Sequence, residues 1–370
     1  MIAQESLGLR EVPLWPLQSF PLSGPTELHP VGLTLDITHA CPFRCPGCIE
    51  AAAMSHSRRA CLHRNTISAI LKRFKDWGGQ VLQLYGGEPT AHPDFADILM
   101  CAAGMFSKVE LVTNGAFLNM PQIAGSIISA ANETQETVRV SLNAGTAKTH
   151  ALLHGAEDYF TRVVHGMNML RAGDSNVNLG VSFLVEEANV HEIVQAYDVA
   201  VEAAATAFWL RPKSGPNSIG LILLSNAART AVCEAILDIT SRCNGNRQPE
   251  LRVEPWFIAY LEGNAVPDTA KPYTSCFYCA AARIVITPPD PGEVWSCTYR
   301  RADARFHVAS LSDAPLGSED FERQRVAAIQ RISPPLDCAG VICMWNEANL
   351  AIWEHLKHHS FAPVCAGLVM

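Results

Sequence analysis

Clustered positive charge is missing from this sequence. Its 28 Lys and Arg stand against 36 Asp and Glu, a formal net charge of −8, and they form no basic stripe. Nucleic-acid binding rests on phosphate neutralisation by grouped cations, so it is excluded as an expectation, and a neutral or cationic polar substrate fits the balance better. Long apolar runs are missing as well. No stretch approaches the roughly 20 residues of a transmembrane helix, and residues 1–30 lack the basic segment followed by an apolar core that marks a secretory signal or an anchor. The expected location is therefore the cytosol, with no membrane partner, and the thirteen cysteines read as reduced thiols or metal ligands, not disulfides. What is present is a soluble, globular composition, 48% hydrophobic and 17% charged, able to bury a full core. At 370 residues the chain is long for one ordinary domain and short for three, so one large domain plus a smaller one is expected.

The chain opens on a proline-rich arm, residues 1–30 with Pro13, Pro16, Pro21, Pro25 and Pro30, which cannot be helical and is expected to lie extended across the domain. From Val31 onward apolar runs alternate with amphipathic stretches. Strands are predicted at 32–38, 80–85, 109–112, 138–142, 179–185 and 207–210, and helices at 65–77, 95–106, 121–131, 147–171 and 189–204. This alternation predicts an α/β fold over residues 31–215, a parallel sheet curled by right-handed crossovers into a partial (β/α)6 barrel. In such barrels chemistry sits at the C-terminal ends of the strands. Beyond about residue 215 the alternation is expected to stop, leaving 216–370 as a second unit.

Directly after the first predicted strand comes Cys41-Pro-Phe-Arg-Cys45-Pro-Gly-Cys48. Three thiolates at CxxxCxxC spacing can hold three corners of a four-iron four-sulfur cluster, since soft sulfur selects iron–sulfur or zinc. A fourth cysteine nearby is lacking, and that lack argues for an open metal position over a closed structural site. Tyr85-Gly86-Gly87-Glu88-Pro89 follows the second strand. Its glycines allow close backbone approach to a ligand, and Glu88 offers a carboxylate acceptor to an ammonium group. Ser141-Leu142-Asn143-Ala144-Gly145 ends the fourth strand with small hydrogen-bonding side chains suited to a ribose; the alternative is that Ser141 and Asn143 only cap a turn. Asn114, after the third strand, and Arg211, after the sixth, share the same rim as carboxylate, adenosine or substrate contacts.

The cysteine triad followed by GGEP, which begins 38 residues after Cys48, resembles the radical S-adenosylmethionine (SAM) superfamily. That resemblance implies that the open iron chelates the amino and carboxylate groups of SAM, that GGEP binds its amino group, and that reductive cleavage gives a 5′-deoxyadenosyl radical able to take hydrogen from carbon. It also implies an external reductant such as flavodoxin or ferredoxin. In the family the residue before the third cysteine is usually aromatic; here it is Gly47, with Phe43 a substitute cover for the adenine.

In the C-terminal part, 283–287 and 293–297 read as a hairpin around Pro-Asp-Pro-Gly, bringing Cys279 close to Cys297, and Cys338 and Cys343 precede an amphipathic helix at 344–358. Gly292 followed by Cys297 resembles the SPASM and twitch extensions of radical SAM enzymes. The cysteine count matches the shorter twitch form, with one auxiliary cluster held by Cys279, Cys297, Cys338 and Cys343; Cys276 can replace Cys279, and a four-cysteine zinc site remains an alternative. The expectation is thus two four-iron clusters and SAM.

His150 and His154 lack an acidic partner and read as solvated helix histidines, and His358-His359 as a helix end. Cys61, Cys101, Cys233, Cys243, Cys276 and Cys365 are thiols from which one could return a hydrogen atom to a product radical. The leading expectation for the reaction is oxidation to a ketone, or epimerisation, of a polar small molecule such as an aminoglycoside, aminocyclitol or sugar, on the likeness to twitch enzymes of aminoglycoside antibiotic biosynthesis. Radical modification of a peptide or protein side chain is the second reading, and an iron–sulfur scaffold or redox sensor the third.

Overall fold

The computed structural model describes residues 30–54, 58–171, 176–214, 222–242, 248–263, 271–273, 276, 283–341, 343, 346 and 349–350. A single sheet of ten strands organises them, in the order β10-β9-β8-β1-β2-β3-β4-β5-β6-β7. The strands are β1 (Gly32–Thr38), β2 (Val81–Gly86), β3 (Lys108–Thr113), β4 (Gln135–Ser141), β5 (Asn178–Val185), β6 (Ala207–Pro212), β7 (Glu250–Val253), β8 (Arg283–Thr287), β9 (Glu293–Trp295) and β10 (His307–Ser310). Neighbours from β1 to β7 pair in parallel, and β8 runs parallel to β1 on its other side.

Parallel neighbours need crossovers, and the amphipathic segments supply them. Counting helices of seven residues or more, these are α1 (Arg64–Asp76), α2 (Phe95–Met105), α3 (Pro121–Glu133), α4 (Ala147–His154), α5 (Phe160–Leu170), α6 (Ile193–Glu202), α7 (Asn226–Arg242), α8 (Pro255–Leu261) and, beyond the sheet, α9 (Glu319–Arg331). The strands alternate with period two. In β1, Leu33, Leu35 and Ile37 lie in the core shared with the helices, while Thr34 and Asp36 face the opposite, inner side. That core is continuous from β1 to α9, and each of its fully buried aromatic side chains, Phe74, Phe106, Phe183 and Phe208 among them, contributes about 1.5–3 kcal/mol by leaving water.

The fold is the mixed α/β, parallel-sheet partial barrel that the alternation predicts, with two differences. First, the helix predicted at 147–171 is two. Gly155 adopts a left-handed conformation (φ 59°) at the C-cap of α4, and α5 starts afresh at Phe160. Second, the alternation runs past residue 215: α7 leads to β7, which pairs with β6 in the same sheet. The predicted hairpin is β8–β9, antiparallel with Val285 opposite Trp295 and Thr287 opposite Glu293. Its pairing through β8 to β1 ties the C-terminal cysteine segment to the strand that leads into Cys41. Among the described residues no helix is long and apolar enough to cross a membrane. The proline-rich arm up to residue 29, most of the helix expected at 344–358, His358-His359, Cys243, Cys279 and Cys365 lie outside the described residues.

Candidate functional site

The exits of β1, β2 and β3 are locked together before any ligand is considered. Gly87 N donates to Thr38 O and Glu88 N to Ala40 O, both at 2.8 Å, so the segment after β2 presses on the segment that leads into Cys41. Only glycine allows this: a Cβ on Gly86 would stand 2.4 Å from Thr38 O, and one on Gly87 2.6 Å from the carbonyl oxygens of His39 and Ala40. The close approach expected of these glycines is therefore made to the cysteine loop itself.

Glu88 points the same way. Its side chain is fully buried, and its carboxylate accepts hydrogen bonds from Thr90 N (3.1 Å), Thr90 Oγ1 (2.5 Å), Thr113 Oγ1 (2.6 Å) and Asn114 N (2.7 Å). Burial raises its pKa, and the bonds from Thr113, Thr90 and Asn114 work against that rise. Both oxygens are thus engaged by protein donors, where the sequence suggested an acceptor open to an ammonium group. Pro89 opens the buried turn that follows. Asn114 reaches the cysteines directly, its Nδ2 lying 3.4 Å from Cys41 Sγ.

The cysteine loop is seated on α4. Arg44 N donates to His154 O at 2.8 Å, and a Cβ on Gly155 would meet Arg44 O at 2.7 Å. Phe43 is buried against the rings of His154 (4.9 Å between centroids), Tyr159 (5.1 Å) and His150 (5.6 Å). This corrects two expectations. Phe43 is an anchor facing the protein, not a cover for adenine, and His150 and His154 are buried, not solvated. His154 Nδ1 lies 3.2 Å from Cys45 Sγ, and burial depresses the His154 pKa to about 4. Gly47 has φ +73°, a conformation that an aromatic side chain would hold only under strain, which accounts for the residue found there; the stem of Lys213 lies 3.7 Å from where its Cβ would be.

The three thiols share one region. Burial, with Glu88 and Cys48 adding, pushes Cys41 up to about 11; burial, then Cys48 and Cys41, pushes Cys45 up to about 12; burial and Glu50 raise Cys48. Buried thiols that oppose one another's ionisation need a cationic centre between them before they can all be thiolates, so the donor set fits an iron–sulfur cluster. Among the described residues no three His, Cys, Asp or Glu side chains close on a single-ion geometry.

A second cysteine group forms in the C-terminal part. Cys276 and Cys297 are buried together with Phe306 and Ile332, and Cys338 packs against them. Burial, then Cys276 and Cys297, pushes the Cys338 thiol up to about 12, while Tyr273 feels Cys276, Cys343 and Cys338 together. Within the described residues it is Cys276 that joins Cys297, Cys338 and Cys343.

The remaining rim residues are more structural than expected. Asn143 takes a left-handed φ of 56°, and its Oδ1 accepts from Leu184 N at 2.8 Å, which is the turn-capping alternative. Ser141 ends β4, and Arg211 pairs with Glu254 at 3.6 Å. Of the thiols considered as hydrogen donors, Cys101 and Cys233 pack against the main core, and Cys61 bridges to Thr38 at the exit of β1.

Sequence reading missed one cluster. Arg301, four residues after Cys297, is 5% exposed and ion-pairs with Asp36 of β1 (2.5 Å) and with Glu50 (2.9 Å), two residues after Cys48, while lying over the Tyr85 ring. One guanidinium thus joins the segments that carry both cysteine groups. Burial, then Asp36, pushes Glu50 up to about 8, with Arg301 opposing. The only signal in the sequence was an acidic residue inside the apolar run of β1.

Comparison with known proteins gives a consistent picture. Residues 35–200 match the radical SAM superfamily model. The PqqA peptide cyclase of Gluconobacter oxydans is 27% identical over 176 residues, 48% of this chain and 47% of that one, so the match spans about half of either protein. The PqqA peptide cyclase of Streptomyces rochei is 24% identical over 299 residues, 80% of this chain and 76% of that one. In fold, the chain resembles Streptococcus suis SuiB bound to its precursor peptide SuiA, with a TM-score of 0.57 at 16% identity, covering 88% of this chain and 73% of that one. These names overturn the carbohydrate expectation: the two relatives named are peptide cyclases, not aminoglycoside, aminocyclitol or sugar enzymes, and the antibiotic-biosynthesis likeness goes with it. Over residues 35–200 the chain is thus similar to the radical SAM superfamily.

Proposed function

We propose that this chain modifies a peptide or protein side chain by hydrogen abstraction from carbon. The observation that carries the proposal is the seating of Cys41, Cys45 and Cys48 on strand exits locked by Gly86, Gly87 and Glu88, in a chain similar to PqqA peptide cyclases. The cysteines would hold a four-iron cluster, and Asn114 and Ser141 would face SAM at the rim, with Gly86, Gly87, Glu88, Pro89, Asn143 and Arg211 holding that rim in place. When bound, cluster and SAM together supply reductive cleavage of SAM and a radical that takes a hydrogen atom from carbon. The residues of the chain orient and exclude: Glu88 fixes the exits of β2 and β3, Asn114 steadies Cys41, and Phe43 with α4 keeps the cysteine loop from swinging.

Residues 216–370 would contribute the auxiliary cluster, on Cys276, Cys297, Cys338 and Cys343. A flavodoxin- or ferredoxin-type reductant and a cytoplasmic location go with this chemistry, as does membership among the oxidoreductases. The test is anaerobic reconstitution followed by iron analysis and SAM cleavage. About eight iron per chain are expected from two four-iron clusters, falling by half when Cys41, Cys45 and Cys48 are replaced by Ala, with release of 5′-deoxyadenosine abolished. Undiminished release from the triple variant would overturn the assignment.

A further inference from the structure

The inner face of the sheet, opposite the helices, holds a cavity of about 200 Å³ lined by Lys108, Glu110, Arg139, Asn178, Trp209 and Arg252 among others. A single ordered water needs only about 10–15 Å³, so this space suits a larger guest. Its charges are unequally satisfied. Glu110 is met by Lys108 at 3.2 Å, by Gln83 Nε2 at 3.2 Å and by Arg283 at 3.9 Å, and Arg252 pairs with Glu250 at 2.7 Å. Arg139 has no hydrogen bond or ion pair among the described residues; its guanidinium carbon lies 5.8 Å from the Trp209 ring centroid, where the like charge of Arg211 and, more weakly, the opposite charge of Glu110 act on it.

The site is built, not incidental. Trp209 lies across β5 because residue 180 is glycine: a Cβ there would stand 1.9 Å from the indole. Arg252 holds the ring too, at 5.1 Å, so the indole is flanked by two guanidiniums and Arg139 is steadied without using its five N–H donors. Arg139 precedes Ser141 by one inward-facing position on β4, about 7 Å along the strand at about 3.3 Å per residue. The free fork therefore sits inside the barrel, below the rim that carries the cysteine loop.

We infer that Arg139, on its Trp209 platform, is a carboxylate-binding subsite that takes an acidic side chain of the peptide substrate. A planar guanidinium with unspent donors matches a carboxylate in bidentate geometry, and the paired Lys108 and Arg252 beside it leave the cavity net positive. This rests on the peptide reading of the function, but its test needs neither SAM nor a reductant.

The probe is glutarate, titrated into the anaerobically reconstituted protein and followed by calorimetry and by tryptophan fluorescence, with neutral glutaramide alongside. Saturable glutarate binding is expected, with no glutaramide binding. Arg139→Gln should weaken it at least tenfold, and Arg139→Lys, which keeps the charge but not the fork, should fall between. Because Arg139 makes no hydrogen bond among the described residues, the thermal midpoint of Arg139→Gln should fall by no more than the loss of its contact with the Trp209 ring accounts for. N-acetylated, C-amidated Ala-Glu-Ala should compete with glutarate, whereas N-acetyl tri-alanine with a free carboxylate should compete less well. Equal glutarate affinity in Arg139→Gln, no glutarate binding at all, or competition confined to the tri-alanine acid would each overturn the inference. SAM cleavage measured on the same preparation reports separately on the function.

Discussion

Glu88 occupies a position from which the sequence suggested contact with an ammonium group, and in the fold its carboxylate is spent on Thr90, Thr113 and Asn114. Replacing it with Ala strands several buried donors, each costing about 1–3 kcal/mol, so the chain should lose roughly 3 kcal/mol or more in urea unfolding. Glu88→Gln, which keeps one acceptor oxygen, should lose less. An unchanged midpoint together with lost SAM binding would instead make Glu88 a direct ligand. The motif was legible because glycines, acid and preceding strand are adjacent in sequence. The direction of the side chain was not, since Thr113 and Asn114 are 25 and 26 residues away on another strand exit. Gly47 is the reverse case: the residue stood out at once, but only its left-handed backbone gives the reason.

Apolar residues continue at helical spacing through 147–171, so the sequence predicts one long helix of which α4 is only the front half. The break at Gly155 answers to a tertiary demand, the approach of Arg44 O, that no local pattern encodes. Strand β7 was missed because four residues carry too little alternation to be told from loop, whereas the β8–β9 hairpin was legible because its turn residues are local. Burying α4 has a consequence for acid stability. Burial, then the neighbouring His154, depresses the His150 pKa to about 3, and both its ring nitrogens are without hydrogen bonds among the described residues. The unfolded chain titrates this histidine near its ordinary value of about 6.5, so below that pH the unfolded state binds a proton that the folded state refuses. Stability is therefore full above about pH 6.5 and falls as pH drops toward the folded value, by up to about 1.4 kcal/mol per pH unit for one group. His150→Phe should flatten that slope in urea unfolding between about pH 6.5 and 5. A slope as steep as the parent's would show that His150 is not what the fold keeps neutral.

At the scale of the whole molecule, the net charge of −8 sums over the chain and does not report the inner face, where Arg139, Arg252 and Lys108 gather with Glu110. The partial barrel was legible because each βα unit repeats the same pattern. The link between the two cysteine groups through Arg301 was not, because Arg301 and Asp36 are 265 residues apart. The central claim is the proposed one, that this chain takes a hydrogen atom from a peptide. It is tested most directly by giving the reduced, reconstituted protein and SAM either the peptide fraction or the small-molecule fraction of a perdeuterated lysate from the source cells, and reading the mass of the 5′-deoxyadenosine formed. Deuterium carried into 5′-deoxyadenosine from the peptide fraction is the expected result; deuterium arriving only from the small-molecule fraction would contradict it.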